Sequence, residues 1–119
     1  MFIVIIKFNA LPQKCLELKQ TLQALNTSAQ QEKGCLSHSV LQDIESENSF
    51  SLFQCWQSRE DLDNHLRSDK FTVLMGTKSL LSRPSEITVN EVAHSTGWEA
   101  VEAIRAASEA AKAGQVQGR

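Results

Sequence analysis

Few residues in this 119-residue chain have side chains suited to chemistry, and their spacing narrows the choice further. The three histidines and three cysteines show no metal-ligand spacing, so no metal site is expected. The five glycines are scattered and build no phosphate loop, which sets nucleotide chemistry aside. Cys15, Cys35 and Cys55 are odd in number, lack a C-x-x-C pair and read as reduced, half-buried thiols. What remains is one stretch, Gln54 to Phe71, in which a tryptophan, a histidine and a phenylalanine fall within eighteen positions. A histidine of ordinary pKa, about 6.5, exchanges its proton near neutrality. Each of these residues also has a plainer use. His65 could bridge backbone between two helix segments, Trp56 could be core, and Gln54 and His38 could be satisfied polar groups.

The elements that must position these residues follow from periodicity. Phe2, Val4, Ile6 and Phe8 share one face of a first strand, and Ile3, Ile5 and Lys7 the other. With both faces largely apolar, helices on one side leave the other to be covered by a second copy of the chain. Pro12 suits a helix start, and Cys15, Leu18, Leu22, Leu25 and Ala29 recur at helical spacing, predicting a helix to about Lys33 with Gly34 as its stop. Leu36 to Asp43 and Phe50 to Trp56 read as strands joined by a polar hairpin connection. Alternation sets Phe50, Leu52, Gln54 and Trp56 on one face, and His38 in register with Leu36 and Val40.

Ser58 and Ser68 are N-cap residues for two short helices, the first with Leu62, His65 and Leu66 on one side, the second with Phe71, Leu74 and Met75 inward. Ile87 and Val89 mark a last strand. The order β-α-β-β-α-β is the ferredoxin-like split arrangement, an α+β fold with an antiparallel sheet. It occupies residues 1–92, and residues 93–119 form an extension. There Thr96-Gly97-Trp98-Glu99 opens a helix predicted to reach about Ala111 and to rest its narrow apolar stripe on the domain or on a partner subunit, with Gly114 to Arg119 disordered.

Twelve basic against fourteen acidic residues, with no block of like charge, argue against nucleic acid or an anionic membrane as partner. The apolar start Met1 to Ile6 lacks the basic and cleavable parts of a signal peptide, and no stretch approaches the roughly 20 apolar residues of a membrane span, so a cytoplasmic location is expected.

The run from Phe50 to Phe71 resembles the signature of the antibiotic biosynthesis monooxygenase superfamily. Trp56, Ser58, Leu62, His65, Leu66, Ser68 and Phe71 match its pattern of a strand ending in tryptophan, a capped helix and His-Leu-x-Ser. Gly34-Cys35-Leu36 and Pro84-x-Glu86-Ile87 extend the likeness over roughly residues 2–92. One departure stands out: Gln54 occupies a place where many members carry glutamate.

The resemblance implies a dimeric α+β barrel and a monooxygenase without metal, flavin or haem, acting with dioxygen on a small aromatic substrate such as a quinol. A deprotonated hydroquinone or naphthol can pass an electron to dioxygen, so the protein need supply only a dry pocket, a base and donors for the anion. His65 would be the base, with Trp56 a second catalytic residue. Phe71 would complete an aromatic wall, and Gln54, His38 and Leu52 would contact the substrate. The rival readings are a non-catalytic dimeric binding or structural module, an oxygen-independent isomerase or decarboxylase using His65, and haem degradation with Met75 as axial ligand. An enzyme should show a pocket of a few hundred cubic ångströms lined by Trp56 and His65; a structural module should fill it with Leu52, Phe71 and Leu74.

Overall fold

The computed structural model describes residues 1–117, with side-chain surroundings through residue 114. Its order is β1 (Phe2–Asn9), α1 (Cys15–Ala29), β2 (Cys35–Gln42), β3 (Ser49–Trp56), α2 (Arg59–Leu66), α3 (Asp69–Met75), β4 (Glu86–Glu91) and α4 (Trp98–Gln117), with 3-10 turns at Pro12–Lys14 and Gly76–Leu80. The four strands form one antiparallel sheet in the order β2-β3-β1-β4, the ferredoxin-like topology.

Alternation decides what the sheet buries. Val4, Ile6 and Phe8 pair across β1 and β3 with Gln54, Leu52 and Phe50, and all six are buried beneath the helices. Leu18 and Leu22 of α1, Leu62 of α2 and Leu74 of α3 close over them to make one core. Each such leucine contributes about 1.5–3 kcal/mol through burial. The other sheet face carries Ile3, Ile5 and Phe53, which stay partly exposed, and among the described residues no helix covers it.

The two serine caps form as the sequence predicts: Ser58 accepts from the Asp61 amide at 3.1 Å and Ser68 from the Phe71 amide at 3.2 Å. Other expectations need correction. Helix α1 stops at Ala29, not Lys33, because Gln31 and Glu32 donate backwards to Ser28 and Ala29 and turn the chain before Gly34. An irregularity between Cys35 and Ser37 breaks the alternation of β2, so Leu36 is turned out while His38 stays in. Met75, the last residue of α3, is exposed rather than inward.

The extension also differs from expectation. Helix α4 continues to Gln117, through part of the segment predicted to be disordered; the end of that segment, 118–119, lies outside the described residues. It does not rest on the domain: Trp98 and Ile104 are 77% and 70% exposed. The molecule measures 65 × 35 × 21 Å as a result. Among the described residues no helix is long and apolar enough to cross a membrane.

Candidate functional site

Strand β3 is the floor of the site. Its inward residues Leu52, Gln54 and Trp56 are essentially inaccessible, and β2 sets His38 directly across from Gln54. Helix α2 brings His65 over Trp56, with the rings stacked at 4.5 Å and 29°. Phe71, from α3, meets His65 edge to face at 5.6 Å, and His38 meets it at 6.3 Å. The structure therefore gathers all six residues singled out in the sequence, with three of them, Trp56, Phe71 and His38, around the His65 imidazole.

Both buried histidines are anchored through Nδ1. In His65 that nitrogen lies 2.8 Å from Glu32 Oε2, and in His38 it lies 2.6 Å from Asn26 Oδ1. Glu32 can reach because the chain turns early after α1. Gly34, at φ 81°, then lets the turn lie against the start of α2, where a Cβ would collide with the Asp61 side chain that accepts from the capping Ser58 hydroxyl. Since an ionised carboxylate only accepts, His65 donates from Nδ1, and in the neutral ring Nε2 is then the nitrogen that carries the lone pair. That Nε2 is buried without a partner, and so is Nε2 of Gln54, whose Oε1 accepts from the Trp56 indole at 2.9 Å.

Burial, and then the neighbouring His65, push His38 down to about 4, partly opposed by Glu32. His38 is thus a neutral ring at physiological pH. Burial, then the Glu32 charge and Cys55, push the Cys35 thiol up, which keeps it protonated and unreactive. All three cysteines are free thiols; Cys55 is buried, while Cys15 and Cys35 are partly exposed. Among the described residues no cluster of three or more His, Cys, Asp or Glu could hold a metal ion.

The space around these groups corrects one expectation. The cavity lined by His38, Leu52, Gln54, His65, Phe71 and Leu74 holds only about 10 Å³, room for about one water. A larger apolar cleft of about 380 Å³ lies next to it, lined by Ile6, Phe8, Leu66, Met75, Ile87 and, again, Phe71 and Leu74. Those last two side chains are the partition between niche and cleft. Met75, the residue considered for haem ligation, borders the cleft and not the histidines.

The antibiotic biosynthesis monooxygenase family model matches residues 1–76, which include every one of these site residues. The chain belongs to this family. A candidate antibiotic biosynthesis monooxygenase from Deinococcus radiodurans superposes with a TM-score of 0.76 at 22% identity, over 82% of this chain and 97% of that one. A protein from Mycobacterium tuberculosis gives 0.74 at 27% identity, over 81% and 98%. An uncharacterised protein from Synechocystis is 31% identical over 83 residues, 69% of this chain but 56% of its own length. The match thus spans little more than half of that relative. The family match ends before β4, and neither structural likeness takes in the whole chain.

Sequence reasoning missed Glu32, Asn26 and Lys70. Lys70 lines the small cavity with its ammonium 3.3 Å from the Ser28 carbonyl. For Glu32 the usable signal was the acidic side chain just ahead of Gly34, where a stop lets a residue turn inward.

Proposed function

We propose that the chain is a cofactor-independent monooxygenase of a small aromatic hydroxyl compound such as a quinol, with His65 as base, Phe71 as an aromatic wall and the buried Trp56 stacked on the base to hold it. The observation that carries this reading is the free, buried Nε2 of His65, set by the Glu32 carboxylate behind it. A carboxylate in that position holds the ring and balances the charge when the far nitrogen takes a proton. Family membership supports the same chemistry.

In this mechanism the substrate ring enters from the cleft and displaces Phe71 and Leu74, so that its hydroxyl reaches the niche. His65 takes the hydroxyl proton. The anion gives one electron to dioxygen, forming a substrate radical and superoxide, which combine in a new carbon–oxygen bond. The peroxide recovers the proton from His65, and loss of water with the hydrogen of the attacked carbon leaves the quinone. A naphthol plus dioxygen yields a naphthoquinone plus water, with no external reductant. The experiment is oxygen uptake by metal-free protein with a panel of hydroquinones and naphthols, comparing wild type with His65→Ala and Trp56→Phe. Uptake that disappears with His65 supports the reading, and a rate no greater than autoxidation across the panel removes it.

The non-catalytic reading has one observation in its favour, the small cavity walled by Leu52, Phe71 and Leu74. It predicts ligand binding or dimerisation without oxygen uptake. Pairing of two chains through the open sheet face belongs to either reading. Its support is the partly exposed row of Ile3, Ile5 and Phe53, and a single monomeric species in sedimentation equilibrium would exclude it.

A further inference from the structure

We propose that Gln54 and His65 together form a one-oxygen niche for an ionisable aromatic hydroxyl, in which Gln54 donates to the oxygen while His65 takes its proton. The inference rests on the reading of His65 as a base and adds what binds the anion that the base creates.

The orientation of the Gln54 amide is fixed by chemistry. An indole N–H can only donate, so the amide oxygen must face Trp56, as the 2.9 Å bond has it. The NH2 end is then committed to the other side, where it is fully buried and without a partner. Leaving such a group unsatisfied carries the cost of its desolvation with nothing to offset it. His65 as a neutral ring presents the opposite fault, an acceptor without a donor, because its other nitrogen is engaged by Glu32. Both residues line the same cavity of about 10 Å³, which has room for about one oxygen atom.

An orphaned donor and an orphaned acceptor at one small cavity define the ligand group. A hydroxyl satisfies both, since its oxygen accepts from the amide and its hydrogen points at the imidazole. A carbonyl or an ether has no hydrogen for His65, and a methyl ether is also too large. Once the proton has moved, the oxygen is an anion facing two donors, Gln54 Nε2 and His65 Nε2. Glutamate in place of Gln54 would still accept from Trp56 but would set a second negative oxygen against that anion. The amide in this chain is therefore a change of polarity suited to holding an aromatic oxyanion. The other titratable groups facing the niche are Glu32 behind His65, His38 from β2 and Lys70 from α3.

The test is anaerobic binding, so it does not depend on turnover. The probes are 1-naphthol and 1-methoxynaphthalene, followed by absorbance across pH. Wild type should bind the naphthol about tenfold more tightly than the ether, and bound naphthol should ionise about one pH unit below free naphthol. In Gln54→Glu, checked for folding by thermal melt, that ionisation should return to or above the free value. If this variant does not fold, the naphthol-to-ether ratio in wild type decides. Equal affinity for the two probes, or unshifted ionisation of the bound naphthol, overturns the proposal and leaves a niche that holds water only, while His65 as base still stands on oxygen uptake. Failure of the naphthol to bind at all also overturns the niche, and oxygen uptake across the hydroquinone panel then decides His65 separately.

Discussion

His65 and His38 are the same residue type at nearly the same depth, 4% and 5% exposed, with rings 6.3 Å apart. Each is tied through Nδ1 by a short contact, yet one is tied to a carboxylate and the other to an amide. A carboxylate can balance an imidazolium; an amide cannot. Burial, and then the neighbouring His65, hold His38 neutral down to about pH 4. At equal depth the two rings differ in the partner behind them: a carboxylate equips His65 to carry a proton, whereas the amide behind His38 does not offset its burial and that ring only builds the wall.

The harshest test of this contrast is to remove each ring. His65→Ala should lower His-dependent oxygen uptake by about 10²–10⁴-fold, whereas His38→Ala, checked on the same substrates, should lose less than about tenfold. Exchanging the partner is milder: Glu32→Gln gives His65 the setting that His38 has, and uptake should drop by about tenfold or more with the fold retained. If Glu32→Gln is as active as wild type, the carboxylate is not what separates the two rings.

Much of this arrangement is legible in the sequence, because alternation and capping are local. Phe50, Leu52, Gln54 and Trp56 fall inward as their spacing requires, and Ser58 and Ser68 cap where a serine three residues ahead of a backbone donor should. Glu32 was not legible, since helical periodicity runs into the turn that actually redirects it, and its partner is 33 positions away. Leu36 was misplaced because a strand irregularity leaves no mark on hydrophobic alternation. The size of the niche depends on how Phe71 and Leu74 pack against β3, a property of the assembled interior that residue spacing does not encode.

A subtler effect lies in stability against pH. Because the folded pKa of His38 is about 4 and its ordinary value 6.5, the unfolded chain binds the extra proton between them. Stability should be full above pH 6.5 and decline as pH falls towards 4; His38→Gln should flatten that slope in thermal melts. Asn26→Asp should raise the midpoint of His38, read from its imidazole NMR signals, by about one unit or more. An unchanged midpoint would contradict the role given to the amide. The smallest effect should come from deleting residues 98–119, since α4 makes little contact with the domain. Monomer melting should change by less than about 0.5 kcal/mol, and neither histidine should titrate differently.

The projecting α4 has a practical consequence for any measurement of assembly. The radius of gyration is 19.9 Å, where a compact chain of this length would have about 13.5 Å. By the same scaling a radius near 20 Å belongs to a compact chain of roughly 330 residues. A gel-filtration column sorts by hydrodynamic size, so even a single chain will elute ahead of its 13.2 kDa and pass for a larger assembly. Light scattering or another method that weighs the particle directly is required to count subunits in this protein.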